Sequence, residues 1–369
     1  MRDGTRLGGA WVAGVAALFV GALPLSAQVG GHDALLTGYG TTAYTGSLGD
    51  TFVNGFSASM SPILLYTMGS DFLFEAEVEF ELEEGATAAN LEYAQVDYQG
   101  LENLQLVAGK FLLPFGVFGE RLHPSWVNKL PTMPLLFGHG EGGVPHDALL
   151  PVLSDVGAMA RWSQPVGSGW ALDVSGWVSQ GPSIAEPEEE EGHAAGEEEE
   201  VESPAPPIAW GVAFTDNNRN KMIGGRAGLV KGPSFETYVS GFHARYDPDQ
   251  HLDVWAAALS AEWRSGPFQI RSEGVLLSQD FMDEAGTSQT LDRSGLYVEA
   301  SRRFGPWEPV ARWGRLFDGK VDDETVQEAR NSLAVGIDYW FEPMIPLKVA
   351  YVTSSGRDDR VVVQWAFGF

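Results

Sequence analysis

The chain has 369 residues, of which 44% are hydrophobic and 11% aromatic, and it carries a formal net charge of −27. This apolar content excludes a disordered chain, and the absence of cysteine excludes disulfides, thiolate zinc sites and redox thiols. The negative charge argues against nucleic acid and anionic lipid headgroups as partners, because both would be repelled.

Residues 1–27 have the pattern of a secretory signal. Two arginines supply positive charge, the stretch 8–23 is apolar, and Leu25-Ser-Ala offers a small-residue cleavage site. A membrane anchor is the alternative, but the apolar stretch is short and no stop-transfer pattern follows it. We therefore expect an exported mature protein that forms a single domain over residues 28–369, since no linker divides it.

Alternating apolar and polar residues then recur to the end of the chain. In the clearest segment, apolar residues from Phe72 to Leu82 share one face, and five glutamates from Glu75 to Glu83 share the other. Five carboxylates on one face need water, so the opposite face is expected to meet lipid. The alternation predicts strands near 34–46, 50–66, 70–84, 89–99, 102–111, 154–164, 168–180, 221–230, 233–246, 252–264, 267–279, 293–304, 307–318, 330–342, 346–354 and 359–369.

The lengths of the connections indicate how these strands are joined. Short turns with Gly or Pro alternate along the chain with longer, more polar connections at 181–220, 280–292 and 319–329. The last strand places a large apolar residue at every second position up to the terminal Phe369. The predicted fold class is all-β, a transmembrane antiparallel barrel of about sixteen strands in a bacterial outer membrane. A soluble β-sandwich is the alternative, but it would not explain the signal together with the terminal Phe.

The first irregular segment, 112–150, lies between the fifth and sixth predicted strands. It is rich in large apolar residues such as Phe115 and Trp126, and is too apolar for a loop in water. Loops of this length are usually functional or disordered, and this composition argues against disorder. We expect the segment to fold into the barrel.

Sixteen strands, an in-folded third external loop, a terminal Phe and an acidic surface resemble the general and phosphate-selective porins of bacteria. The run from Gly109 to Gly116, followed by Glu120-Arg-Leu-His-Pro, resembles a stretch of porin-like proteins of that group. The resemblance implies that the third loop narrows the pore, and a homotrimer is compatible with it. Phosphate-selective members line their pore with many Lys and Arg, whereas basic residues are few here, which argues against phosphate selectivity. The candidate constriction residues are Phe115, Glu120, Arg121, His123 and Trp126.

Charged residues on the inward parity of the strands are candidates to line an aqueous lumen. They are Glu75, Glu77, Glu79, Glu81, Asp97, Lys110, Arg161, Arg226, Glu262, Arg271, Glu273, Arg303, Asp338 and Lys348. Mixed charge across a water-filled bore favours polar permeants, and rows of acidic groups favour cations. We therefore expect a porin in contact with outer-membrane lipids, through which small polar solutes or ions diffuse with a preference for cations.

The second irregular segment, 181–207, contains ten Glu and several Pro, which predicts a solvated external loop. Capture of divalent cations is the alternative, since carboxylates suit such ions and His193 lies among them. His123, His139 and His146 fall in the first irregular segment, and with His193 they are candidates for a transition-metal site. Their spacing matches no metal-binding signature.

Other chemistry finds little support in the sequence. The glycine-rich run at 224–228 lies in a strand and opens no helix, which argues against a phosphate cradle. No interpretable nucleophilic motif is present, so we expect no enzyme and no cofactor, with an outer-membrane hydrolase as a minor alternative. The main rival to a channel is a plugged barrel that binds metal or anchors a complex at the cell surface.

Overall fold

The computed structural model describes residues 25–29, 32–49, 54–83, 86–138, 148–185, 203–211, 219–249, 251–283 and 285–369. Sixteen long strands form the wall: β1 (His32–Ser47), β2 (Asn54–Met68), β3 (Phe72–Glu83), β4 (Ala86–Leu101), β5 (Leu104–Leu112), β6 (Ser154–Gly167), β7 (Trp170–Ser179), β8 (Met222–Lys231), β9 (Phe235–Arg245), β10 (Asp253–Ser265), β11 (Phe268–Met282), β12 (Ser288–Arg302), β13 (Trp307–Leu316), β14 (Arg330–Glu342), β15 (Ile345–Ser354) and β16 (Arg357–Gly368). Among the described residues, no helix is long and apolar enough to cross a membrane.

These strands form a closed barrel. Each pairs antiparallel with its neighbour in the chain, and β16 pairs with β1 from Tyr39 opposite Gly368 to Ser47 opposite Arg360. The terminal Phe369 completes this seam, because its backbone exchanges two hydrogen bonds of 3.0 and 3.1 Å with Gly38. The predicted antiparallel barrel of sixteen strands is confirmed.

The connections differ between the two ends of the barrel. Seven short turns lie at the end where the first and last strands bring the chain termini, and two of them use Gly232 and Gly266 with φ of 50° and 56°. Longer connections lie at the other end, among them 113–153 between β5 and β6, called L3 below, and 180–221 between β7 and β8, called L4 below. This is the alternation that the sequence predicted.

Large apolar side chains cover the outer face of the wall. Leu259 and Val239 are 63% and 58% exposed although they lie at the middle of β10 and β9. Tryptophans near strand ends, such as Trp263 and Trp365, are also exposed on this face. Trp340 differs, because it lies on the inner face and its Nε1–H donates to Glu308 over 3.1 Å. An exposed apolar belt of this extent requires an apolar surrounding.

L3 folds into the barrel, as predicted. Its apolar side chains, including Phe115, Phe118 and Leu136, are buried against inward residues of β6 to β13, and Phe115 meets Phe242 edge to face at 5.1 Å between centroids. Leu130 fills a second cluster on β13 to β15. One side of the barrel therefore contains a packed hydrophobic core, which is unusual for a bore expected to carry water.

Several boundaries differ from the prediction. β11 and β12 extend further outward, so the connection predicted at 280–292 shrinks to 283–287. The connection 317–329 contains a small hairpin, Gly319–Val321 with Glu324–Gln327, which pairs with β12. Leu25–Val29, at the end of the predicted signal, forms a strand beside β1, and residues 1–24 lie outside the described part of the chain.

The ends of the acidic segment also differ from the prediction of a fully solvated loop. Ser183–Ile184 pairs with Ile208–Ala209, and Gln279 on β11 donates to the carbonyl of Pro206 over 2.7 Å. Ile208 and Trp210 are buried in the core. These two apolar residues anchor the later part of L4 on the barrel, and the N–H of Gly181 fixes its start by donating to Asp155 over 2.7 Å. All ten glutamates of the segment lie outside the described residues.

Candidate functional site: the barrel lumen

A row of carboxylates lines the inner face of β3. Glu77 is buried and accepts a hydrogen bond of 2.6 Å from the hydroxyl of Tyr39 on β1. Glu75, Glu79 and Glu81 lie on the same face and are partly exposed. An inward side chain of a closed barrel is exposed only where open space lies beside it, so there is open space inside the barrel along this wall.

Asp97 continues the acidic wall on β4. Its carboxylate accepts hydrogen bonds of 2.9 and 2.8 Å from the side-chain amides of Gln95 and Gln105. The two amides hold the Asp97 carboxylate in place. It is buried, so it does not itself contact the space inside the barrel.

Hydrogen bonds and ion pairs attach L3 to strands away from the acidic wall, beginning with β6 and β8. Glu120 of L3 lies between Arg161 on β6, at 2.9 Å, and Arg226 on β8. Burial alone would raise the pKa of Glu120, but the two guanidinium groups outweigh it and keep this pKa below its ordinary value. Both arginines therefore serve to neutralise a loop carboxylate.

A buried carboxylate also fixes the start of L3. Glu273 on β11 accepts hydrogen bonds of 3.0 and 3.1 Å from the backbone N–H groups of Val117 and Phe118, and the N–H of Gly116 donates to Ser240 over 2.8 Å. Gly116 has a φ of 63°, and a Cβ there would stand 1.8 Å from Oε1 of Glu273. Only glycine fits this position, where L3 turns into one π-helical turn, Phe118–Leu122.

The middle of L3 is held by a buried charge network. Glu299 accepts hydrogen bonds from Arg271 over 2.6 Å and from Arg312 over 2.9 Å. Arg312 also donates to Asn128 of L3 over 2.7 Å, and Lys348 donates to the carbonyl of Ser125 over 2.5 Å.

Two further pairs extend this network. Lys129 of L3 pairs with Glu308, and Asp338 lies directly opposite Lys348 in the sheet. L3 therefore spans the barrel from β6 to β15, and it leaves β16 and β1 to β4 facing the remaining space.

Of two further predicted lumen residues, one lies on the outer face and the other lies in a turn at the inner rim. Lys110 alternates along β5 with the buried Val107 and Phe111, so it lies on the outer face, where its ammonium donates to the carbonyl of Leu91 over 2.6 Å. β5 carries apolar residues on both faces, because Val107 and Phe111 on its inner face pack in the core with L3, and alternation alone therefore misassigned Lys110. Arg303 lies in the turn after β12, which ends one residue earlier, and its guanidinium covers the Trp340 ring at 4.9 Å.

A basic pocket lies on the inner face of the outer half of β13 to β16. Four arginines contribute to its lining, together with Thr132 and Met133 of L3, and its cavity volume is about 70 Å³. The four are Arg312, Arg330, Arg357 and Arg360. Positive charge thus borders the open part of the lumen, but at positions that sequence reasoning missed. The available signal was the position of Arg330, Arg357 and Arg360 beside the polar connections at the ends of β14 and β16.

The candidate constriction residues separate into two groups. Phe115 is in the core, and Glu120 and Arg121 form ion pairs, the latter bidentate with Glu236 at 2.8 and 3.1 Å. His123 is partly buried with its Nδ1 2.5 Å from the carbonyl of Gly119, and Trp126 is partly exposed. The first group anchors L3, and Trp126 lies on its less buried stretch.

The remaining candidates concern metal binding. His139, His146 and His193 lie outside the described residues. Within the residues that the structure describes, no group of three or more His, Asp or Glu side chains is arranged to hold a metal ion.

No protein-family model and no curated protein sequence matches the chain. Solved structures match over almost the whole chain. OmpF of Salmonella typhi, in complex with daunomycin, has a TM-score of 0.60 at 12% identity, over 94% of this chain and 100% of that one. The anion-selective porin of Comamonas acidovorans has a TM-score of 0.58 at 13% identity, over 92% and 100%.

The trimer form of OmpT of Vibrio cholerae has a TM-score of 0.56 at 10% identity, over 92% of this chain and 99% of that one. The chain has the porin fold. At these identities the likeness concerns the fold alone, and the lumen of this porin-type barrel has to be interpreted from its own residues.

Proposed function

We propose that the chain is an outer-membrane channel for passive diffusion of small polar solutes or ions. The observation that carries the proposal is the partial exposure of Glu75, Glu79 and Glu81 on the inner face of a closed barrel. L3 packs against β6 to β15, and water-accessible space lies along the acidic wall. The apolar outer face supports the location, because only a lipid surrounding suits it.

We further propose a preference for cations. The row on β3 faces the open space with carboxylates, whereas Arg161, Arg226 and Arg271 are neutralised by Glu120 and Glu299. The basic pocket at β13 to β16 opposes this preference from the other border of the same space. Charges of opposite sign across a narrow bore orient polar solutes and disfavour apolar ones.

Planar-bilayer recordings in a salt gradient test both proposals. Wild-type protein should give discrete conductance steps with a reversal potential on the cation side. Joint substitution of Glu75, Glu79 and Glu81 by Gln should move it toward the anion side, and the matched substitution of Arg330, Arg357 and Arg360 by Gln should move it the opposite way. Unchanged reversal potentials in both variants would rule out these walls as the selectivity determinants.

A plugged barrel is the second candidate, and the packed core formed by L3 favours it. A plug predicts no conductance from wild-type protein and conductance steps only after 116–137 is replaced by a short Gly-Ser linker. Conductance from wild-type protein would exclude the plug. Divalent-cation binding by the acidic segment stays a prediction, and assembly as a trimer is supported only by the trimer form of OmpT.

A further inference from the structure

Arg302 occupies an unusual position at the edge of the apolar belt. It is the last residue of β12, at the end of the barrel that carries the short turns, and it is exposed. Its neighbours Glu299 and Ser301 are buried inside the barrel, whereas Val298 is exposed on the outer face in the same alternation. The guanidinium therefore stands on the lipid side of the wall, where apolar surface ends.

Two aromatic rings hold this guanidinium. Its central carbon lies 4.5 Å from the centroid of Phe268, directly opposite on β11, and 4.2 Å from that of Phe304 in the turn. Among the described residues, no carboxylate forms an ion pair with Arg302. Contact with rings uses the faces of a guanidinium and leaves N–H donors along its edge for an acceptor.

A similar arrangement occurs at the same end of β8. Lys231 is the last residue of its strand, and in the sheet it lies between Trp170 on β7 and Phe235 on β9. Its ammonium is 5.3 Å from the centroid of the Trp170 ring. Within the described part of the chain, no carboxylate forms an ion pair with Lys231 either.

The charges at this end of the barrel are divided between two arcs. Lys231 and Arg302 stand on the arc from β8 to β12. Four acidic residues at the same end, Asp33, Asp71, Glu102 and Glu342, belong to the arc from β14 through β1 to β5. Two carboxylates near this end of the basic arc, Glu236 and Glu262, point into the barrel and form ion pairs with Arg121 and Arg264. The net charge of −27 predicts repulsion of anionic lipids by the whole chain, but that repulsion does not apply locally at the basic arc.

We propose that Arg302, between Phe268 and Phe304, binds the phosphate of a glycerophospholipid headgroup, with Lys231 as a second site. A phosphodiester accepts two N–H bonds from one guanidinium, and the rings limit competition from water. The acyl chains would follow the outer face above Arg302, where Ala300 lies directly opposite Ala311 and Ile270 is exposed. The proposal rests on the membrane location proposed above and does not depend on conduction.

Native mass spectrometry of the full-length protein in a non-ionic detergent, titrated with dioleoyl phosphatidylglycerol, tests this site. Arg302→Gln should weaken lipid binding about tenfold, because charge-assisted bonds to the phosphate are lost. Arg302→Lys should give an intermediate loss, since charge remains without the bidentate geometry. Arg303→Gln is the matched control: it removes the same charge one residue away, from a side chain on the inner rim, and should change binding less than twofold.

Equal weakening by Arg302→Gln and Arg303→Gln would overturn the site in favour of a diffuse charge effect. Displacement of the lipid by millimolar inorganic phosphate would overturn the lipid assignment and indicate a simple anion site. Heat-resistant migration on gels shows that each variant is folded, and Phe304→Ala, which keeps every charge, should also weaken binding. Wild-type protein that conducts but retains no lipid would contradict this proposal alone, and protein that retains lipid without conducting would contradict the channel alone.

Discussion

Single buried charges determine where L3 lies. Glu299 is 1% exposed and stands between Arg271 and Arg312, each 4% exposed, so none of the three can regain hydration without moving the loop. The start of L3 is held by two more carboxylates: Glu273 of the wall accepts hydrogen bonds from the L3 backbone, and Glu120 of L3 forms ion pairs with the wall arginines Arg161 and Arg226. Such groups are costly to desolvate and more costly to leave unpaired.

Glu299→Gln should therefore destabilise the barrel by about 3–5 kcal/mol, because two buried guanidinium groups lose their counter-charge. Urea unfolding in detergent micelles measures the loss. Asp253→Asn is the control, since the ion pair of Asp253 with Arg245 is partly exposed and both groups can be rehydrated. Equal losses in the two variants would contradict the network.

The attachment of L3 should also depend on pH through Glu120. Its pKa is lowered in the folded protein, so its pairing contributes stability above the ordinary carboxyl range and loses that contribution as pH falls through the lower folded value. Limited proteolysis within L3 should therefore accelerate on acidification below that range. Glu120→Gln should show fast cleavage with a weaker pH dependence, and an identical pH profile in both proteins would count against this role.

At the scale of the element, β3 separates lipid from water through alternation. Val78 points outward between Glu77 and Glu79, which point inward. Val78→Arg should impair folding into lipid vesicles, because a cation at the bilayer midplane costs about 2–4 kcal/mol. Glu79→Arg places the same side chain in the open lumen and should fold nearly normally. Similar folding yields for both variants would mean that the faces are assigned wrongly.

L4 separates into an anchored part and an acidic part. Replacing 186–202 by a Gly-Ser linker should leave a heat-resistant barrel, because loop length changes closure entropy only logarithmically. Trp210→Ala should destabilise it, since Trp210 is buried against Phe242 at 5.6 Å between ring centroids. Thermal unfolding of both variants measures the difference, and a large loss from the linker variant would place the acidic run within the packed structure.

Alternation predicted the strands well because successive side chains of a wall strand face lipid and the barrel interior in turn, and these surroundings differ in polarity. It failed where that contrast is weak: β5 carries apolar residues on both faces, and Lys110 was consequently assigned to the wrong face. The path of L3 depends on charges that are distant in sequence, such as Lys129 with Glu308 or Ser125 with Lys348. No local pattern specifies such pairs, so sequence predicted that L3 enters the barrel but not which side it fills.

The basic pocket illustrates the same limit. Arg330, Arg357 and Arg360 stand near strand ends, where boundaries are least certain, and only the closed sheet brings them beside Arg312. The predicted basic groups lie mostly inside strands, where Arg161 and Arg226 face the L3 carboxylate Glu120 and Arg271 faces Glu299. Proximity in the closed barrel, and not residue type, decides which arginines border open space.

In the whole molecule, the filling of the barrel is eccentric. Core residues from L3 and L4 pack against β6 to β13, and a lumen bordered by acidic and basic groups runs past β16 and β1 to β4. The wall strands around this lumen are joined to each other but have few partners inside. The wall is the same hydrogen-bonded sheet on both sides of the barrel. The two sides differ in that a packed core supports β6 to β13 from inside, whereas β16 and β1 to β4 border open space.

This difference makes the barrel a tube with one stiff and one compliant side. When lateral pressure or bilayer thickness changes, the cross-section should deform mainly along the unfilled arc, because the core resists compression on the other. Amides of β1 to β4 should then exchange hydrogen faster than amides at equal depth in β8 to β11, measured by mass spectrometry in lipid nanodiscs. Equal rates on both arcs would contradict this mechanical asymmetry. A pore on the compliant side would change its width with the membrane around it, whereas L3 would remain fixed.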